Sequence, residues 1–322
     1  MNQTIVILTN EVKSDLPDVV DVLEQRDLVL TACLALGYEV ICLELGDNLK
    51  TDFEKVAAAQ PDIVFSLVED IWGKGELLYF APAILTAHRI AYTGNPLEAL
   101  FLTADKVLTK KLLRLHDLPT ADFFDLKSLD TLDPTKTYIV KPKREDASIG
   151  IDASAVFNIS ETLKVEKIRR LPPPQYFIEE YIDGREFNLS LLVNDGKVDI
   201  LPMAEIEFLP YFADKPKILD YDAKWNETSA GYKNTIRSFG TLEDKPHLKQ
   251  ALTQICEKVW QVFDLKGYAR IDFRIDEHDS IYILEINANP CISADSGFAA
   301  AVQQAGYSYI EMIQRILSDL NQ

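Results

Sequence analysis

A chain of 322 residues with 47% hydrophobic and 26% charged residues has an ordinary globular balance and is long enough for two or three packed units. Its formal net charge of −18 argues against a nucleic-acid partner, which needs a basic footprint, and no run approaches the roughly 18 apolar residues of a membrane span. Four cysteines without a C-x-x-C pair and four scattered histidines offer no disulfide scaffold, zinc site or Ser–His–Asp triad. The opening MNQTIVILTN lacks a basic start and a small-residue cleavage site, so a cytoplasmic protein without a signal peptide is expected. In so acidic a chain an anionic substrate needs a local basic pocket, which gives weight to each lysine in a well-placed loop.

Thr4–Thr9 is a short apolar run typical of a buried parallel strand. Val19–Gly37 reads as a helix, with Val22, Val29, Ala32, Cys33 and Leu36 near helical spacing and Gly37 as its stop. Glu39–Leu45 is a second strand, Asp52–Ala59 a helix and Asp62–Leu67 a third strand. This alternation predicts an open α/β sheet over residues 1–95, without a G-x-G-x-x-G fingerprint. Gly73-Lys74-Gly75 is too short for a Walker loop and reads as a turn.

Ala91–Gly94 closes this unit, and a helix then carries Asp105, Lys106, Lys110 and Lys111. Lys110 and Lys111 read as an exposed helix face; Lys106 is either solvated or a charge for a nucleotide. Thr137–Lys141 is a strand that Pro142 terminates, followed by a polar loop ending at Gly150. A lysine at a strand end beside such a loop suits a phosphate clamp with a lid. Leu171–Pro174 is a rigid spacer into the strand–turn–strand Tyr176–Phe187, by itself an acidic surface turn. Tyr221–Trp225 opens a loop that runs to Gly231 and holds Lys224, either a solvated lysine or a substrate contact.

Residues 267–290 read as a β-hairpin. Ala269, Ile271, Phe273 and Ile275 alternate with polar residues, a period of two. If Asp276 and Ile281 close a four-residue loop, Asp272 falls opposite Glu285 and Arg270 opposite Asn287. Two carboxylates across a ladder repel each other, and a hard divalent cation would turn that cost into a binding site with Asn287 as a third oxygen donor. The plainer alternative is a solvated sheet face with charges paired elsewhere. Beyond the hairpin, Ile292–Gly297 leads toward a last helix near Tyr309–Leu320.

R-x-D, then E-x-N-x-x-P after a short hairpin, resembles the magnesium site of the ATP-grasp enzymes, and most of all the D-alanine–D-alanine ligase branch. The resemblance implies an N-terminal open α/β sheet followed by a two-lobed ATP-grasp fold: α/β overall and α+β in the ATP-grasp part, with units 1–95, 96–182 and 183–322. It implies ATP and two Mg²⁺ ions, or Mn²⁺ in their place, held by Asp272, Glu285 and Asn287, with Arg270 stabilising the charge that develops at the reacting centre. Lys106 and Lys141 map to the family's ATP lysines and Ser148 to its lid. Glu179, Glu180 and Ile182 map to the adenine hinge and Glu186 to the ribose contact. Lys224 matches the closing loop, and Ser296 the serine that binds the second amino acid's carboxylate.

The implied activity is an ADP-forming carboxylate–amine ligase that acts through an acyl phosphate on amino acids or small peptides. A homodimer is the family expectation. Two alternatives stand beside it: a D-alanine–D-alanine ligase with unusual substrate contacts, and an ATP-binding regulatory protein without turnover.

The first 90 residues depart from the pattern. The stretch Thr9–Asp18 does not match the family's amine-gripping Gly-Gly-x-Ser-x-Glu, Ala147 replaces a lid serine, and Trp225 replaces a tyrosine. Cys291 stands where a glycine is usual and adds a thiol near the reacting carbon. These changes predict that D-alanine is a poor first substrate, with an acyl donor that is larger, more apolar or without that amine.

Overall fold

The computed structural model describes residues 3–145 and 152–321. Strands β1 (Thr4–Asn10), β2 (Glu39–Leu45) and β3 (Ile63–Ser66) form a parallel sheet in the order β2-β1-β3. Helices α1 (Pro17–Ala35), α2 (Leu49–Ala58) and α3 (Phe80–Ala87) cover it. Ile5 and Ile7 pack on α1 and the C-terminal helices, while Val6 and Leu8 face α2 and α3. Both faces of β1 are therefore dry, which is why it reads as a continuous apolar run.

Two helices follow, α4 (Leu97–Thr103) and α5 (Lys106–Leu115), divided where Asp105 caps α5. Strands β4 (Phe123–Asp125), β5 (Tyr138–Pro142), β6 (Val156–Phe157) and β7 (Tyr176–Glu180) make an antiparallel sheet in the order β4-β7-β5-β6, with α6 (Thr162–Arg169) packed beside it.

The third sheet contains β8 (Arg185–Asn194), β9 (Lys197–Ile200), β10 (Ala204–Phe208), β11 (Thr235–Phe239), β12 (Tyr268–Ile275) and β13 (Ile281–Asn287). Its order is β11-β10-β8-β12-β13, with β9 paired to β8. Short helices α7 (Tyr221–Trp225) and α8 (Ala230–Lys233) interrupt the stretch expected to be a loop. The reason is local: Asp220 accepts from Ala223 N and Ser229 from Tyr232 N, so both begin on N-caps. Helix α9 (Pro246–Val262) sets Leu248, Leu252, Cys256 and Val259 against the inner residues of β8 and β12. Burying each large side chain there stabilises the fold by about 1.5–3 kcal/mol. Helices α10 (Gly297–Gln304) and α11 (Tyr309–Leu317) return to the first sheet, and α11 falls where the sequence reading expected the last helix.

Asn95 locks the return. Its amide donates to Tyr268 O at 2.7 Å and Ala288 O at 2.6 Å and accepts from Lys266 N at 2.8 Å. A buried amide with its partners made fixes the start of β12 against the end of the first unit.

Candidate functional site

One cavity of about 710 Å³ runs between the antiparallel sheets and reaches the carboxyl ends of β1 and β3. Its floor is the β12–β13 hairpin. Asp272 lies opposite Glu285 and Arg270 opposite Asn287, as expected, but the loop is set differently. Ile275 pairs with Ile281, and a bulge at Leu284 restores the register at the site. The bulge lets Ile283 and Ile286 both enter the core while Leu284 and Glu285 line the cavity.

Arg270 forks onto Asp272, Nε to Oδ1 at 2.8 Å and Nη2 to Oδ2 at 2.9 Å, and stands 3.9 Å from Glu285. Burial pushes the Asp272 carboxyl up and Arg270 pulls it down, with a net rise. Burial also pushes Glu285 up, yet Lys106, Lys224, Arg270 and Lys141 together hold it well below the usual carboxylate range. Among the described residues no group of three His, Cys, Asp or Glu side chains gathers as a metal cluster. The oxygen donors here are two carboxylates and the Asn287 amide. That set suits a hard, phosphate-bound cation such as Mg²⁺, and a carboxylate forked by arginine keeps lone pairs for one.

The lysines come from different elements. Lys106 opens α5, donates to Glu145 O at 2.7 Å and lies 3.6 Å from Glu285 Oε2. Lys141, on β5, pairs with Glu179 on β7 at 2.7 Å. Lys224 on α7 lines the cavity facing the carboxylates.

Lys110 corrects the sequence reading. It is not on an exposed face: it is 1% exposed, ion-paired with Glu179, and donates to Thr120 Oγ1 at 2.8 Å. Lys106, Thr109, Lys110 and Leu113 form the inner stripe of α5, while Lys111 is exposed as expected. Burial lowers the Lys110 pKa, and Glu179 opposes that shift.

The β7–β8 turn closes the cavity beside Glu179. Glu180 pairs with Lys136 at 2.7 Å, Ile182 lines the wall, and Glu186 accepts from Arg274 Nη2 at 2.7 Å. Gly184 is obligatory here, since a Cβ would fall 2.1 Å from Ile275 O. At the far end Ser296 caps α10 through Ala299 N and lines the cavity, where Arg237 also enters. Ser148 and Ala147 lie outside the described residues.

The sequence reading missed an acidic wall. Asp18, Asp21 and Glu69 line the cavity, and no lysine, arginine or histidine within ion-pair distance of them is found among the described residues. Tyr221 donates to Asp18 at 2.6 Å; Gln25 donates to Asp21 at 2.9 Å and to Glu69 at 2.8 Å. Cys291 donates its thiol to Asp21 Oδ2 at 2.9 Å, and burial pushes the thiol well above its ordinary range. Burial, with Asp21, Asp70 and Asp18 nearby, pushes Glu69 up to about 7 although Gln25 pulls it down. The available signal was spacing: Asp18, Asp21 and Gln25 share one stripe at the start of α1.

Known proteins share this chain's sequence pattern and its fold. The family model described as D-ala D-ala ligase C-terminus matches residues 133–318. An uncharacterised protein, y4sG, of Sinorhizobium fredii is 31% identical over 304 residues, covering 90% of this chain and 85% of its own length. A D-alanine–D-alanine ligase of Carboxydothermus hydrogenoformans is 28% identical over 308 residues, covering 92% of each. The structure of the Bacillus anthracis D-alanine–D-alanine ligase complexed with ATP shares the fold, with a TM-score of 0.73 at 19% identity over 98% of this chain and 96% of that one. The VanG D-Ala:D-Ser ligase of Enterococcus faecalis does so at a TM-score of 0.72 and 14% identity, over 99% of both chains. The described residues contain no helix long and apolar enough to cross a membrane. By its sequence and its fold, the chain belongs to the D-alanine–D-alanine ligase-like family of ATP-grasp proteins.

Proposed function

We propose that this protein is an ATP-dependent, ADP-forming ligase that joins a carboxylate to an amine through an acyl phosphate. One observation carries the reading. Asp272, Glu285 and Asn287 stand in a row on one hairpin, with Lys141, Lys224 and Arg270 around the same cavity. Two carboxylates and an amide suit Mg²⁺ bound with ATP, which would neutralise phosphate charge. Lys106 and Lys141 would hold the nucleotide's phosphates. Ile182 and Glu180 would border the adenine, with Glu186 at the ribose and Ser148 in the lid. Glu179 contributes through its lysine pairs, since both its carboxylate oxygens face ammonium groups.

In this reading a carboxylate of the first substrate attacks the γ-phosphate and releases ADP. The amine of the second then attacks the acyl carbon and expels phosphate. Arg270 would stabilise the negative charge that accumulates on the acyl oxygen, and that stabilisation together with positioning would be the protein's main contribution. Ser296 and Arg237 would receive a carboxylate of the amine substrate. Asp18 and Asp21 change the expectation about the first substrate. Carboxylates without cationic partners suit an ammonium group, so an amine-bearing acyl donor fits this cavity and D-alanine is among the candidates. The proposed units are 1–95, 96–182 and 183–322, each supported by one sheet, in a cytoplasmic protein that assembles as a homodimer.

The test is ADP release at saturating Mg-ATP across a panel of amino acids and dipeptides, D-alanine included. Turnover that depends on a carboxylate–amine pair supports the ligase. Tight nucleotide binding with no ADP release for any pair would favour the regulatory alternative.

A further inference from the structure

We propose that Lys110 is a positioning residue for the nucleotide: it neutralises Glu179 so that the charge of Lys141 remains available to a phosphate. The inference rests on the reading of the cavity as a nucleotide site. Its basis is a charge count at a buried junction. Glu179 is 1% exposed and carries one negative charge. Lys110 meets its Oε1, and Lys141 meets its Oε2 at 2.7 Å. Lys110 is sealed from solvent, whereas the Lys141 side chain is 14% exposed and lines the cavity.

Without Lys110, Glu179 and Lys141 would form a closed neutral pair and offer a polyphosphate little net attraction. With it, the three side chains carry one surplus positive charge, and the only member able to present that charge to the cavity as a cation is Lys141. In a chain of net charge −18 such a surplus is scarce. Lys110 is also fixed at the seam between two sheets. Its ammonium donates to Thr120 Oγ1 at 2.8 Å and lies 3.5 Å from Ile283 O. Thr120 itself donates to Ile283 O at 3.0 Å, on the strand that carries Glu285. Lys110 is therefore held in a fixed place against the strand that carries Glu285, and Glu179 with it.

The experiment measures binding of Mg-ADP and of adenosine by calorimetry in the whole protein. Lys110→Met should weaken Mg-ADP by about tenfold or more and leave adenosine within about threefold, because only the phosphates sense the charge. Lys110→Arg should bind like the wild type. The double variant Lys110→Met/Glu179→Gln should recover Mg-ADP affinity to within about threefold of the wild type, since it removes one charge of each sign. Glu179→Gln alone, which keeps both lysines, should bind Mg-ADP at least as tightly as the wild type and serves if Lys110→Met does not fold. Equal losses for adenosine and Mg-ADP, or a double variant as weak as Lys110→Met, would show a role in packing alone and overturn the proposal. Weakened Mg-ADP binding by Glu179→Gln would overturn it too. If the wild type binds adenosine and Mg-ADP equally weakly, the nucleotide reading itself fails and the inference falls with it.

Discussion

Asp272 and Glu285 face each other across a ladder, yet their surroundings differ. Asp272 is forked by one arginine, whereas Glu285 sits in the field of three lysines as well as that arginine. Asp272→Asn and Glu285→Gln keep shape and volume and remove one negative charge each. Each should lower kcat by at least about a hundredfold, because a positioned charge at a reacting centre is worth several kcal/mol. Glu285→Gln should also lower stability, since three lysines and Arg270 lose their counter-charge, whereas Asp272→Asn, which ends the cost of burying a carboxylate as it breaks the Arg270 fork, should lower it less. Single-turnover ADP formation together with urea unfolding checks the pair of expectations. Full activity in either variant would remove the hairpin from the chemistry.

Residue identity alone made these two carboxylates legible, through alternation and motif, but not their neighbours. Lys110 reads as exposed because its partner Glu179 lies far off in sequence, and no local pattern announces a buried ion pair. The inner stripe of α5 is mostly polar, so the usual apolar cue for a buried face is absent.

At the scale of elements, the hairpin illustrates how a register can be right while its loop is wrong. The sequence reading closed the loop at Asp276 and Ile281; the strands close at Ile275 and Ile281, and Leu284 bulges to compensate. Strict alternation would have put Ile283 and Glu285 on one face. The bulge separates them, and the core's demand for Ile283 decides where it falls.

The start of α1 and the end of β3 meet through Gln25, and this junction carries a pH dependence. Glu69 has its pKa raised from 4.5 to about 7, first by burial and then by Asp21, Asp70 and Asp18. The folded state thus holds that proton more tightly than the unfolded chain. Stability is full below the unfolded value of 4.5 and is lost as pH rises through about 7. The loss is at most about 3 kcal/mol, because one pKa unit corresponds to 1.36 kcal/mol and the side chain is not fully enclosed. Glu69→Gln cannot ionise and should escape it. In urea the variant and the wild type should unfold together below pH 4.5, and the variant should be the more stable above pH 7. A difference that does not change with pH would mean that Glu69 has the same pKa in the folded and the unfolded chain.

Across the whole molecule, the N-terminal stretch was the least legible part because its function depends on contacts that close over long sequence distances. Thr9–Asp18 matches no motif, yet the fold carries Asp18 to Tyr221, 203 residues away, with the hydroxyl donating at 2.6 Å. Burial and then Asp18 push the Tyr221 phenol up to about 12, so it remains a donor across the physiological range. This bond ties α7, the helix bearing Lys224, to the first turn of α1 and its carboxylates. In the proposed reading the tie lies beside the carboxylates that would receive the ammonium group of the acyl donor. Tyr221→Phe should therefore raise KM for the acyl donor by about tenfold, as expected when one charge-assisted hydrogen bond is lost. Mg-ADP affinity should change by less than about threefold, because the proposed phosphate lysines, Lys106 and Lys141, stand on other elements, α5 and β5. Initial rates against donor concentration, with Mg-ADP calorimetry on the same variant, separate the two effects. Equal losses in donor KM and nucleotide affinity would mean that the tie holds the whole cavity in shape rather than its substrate end.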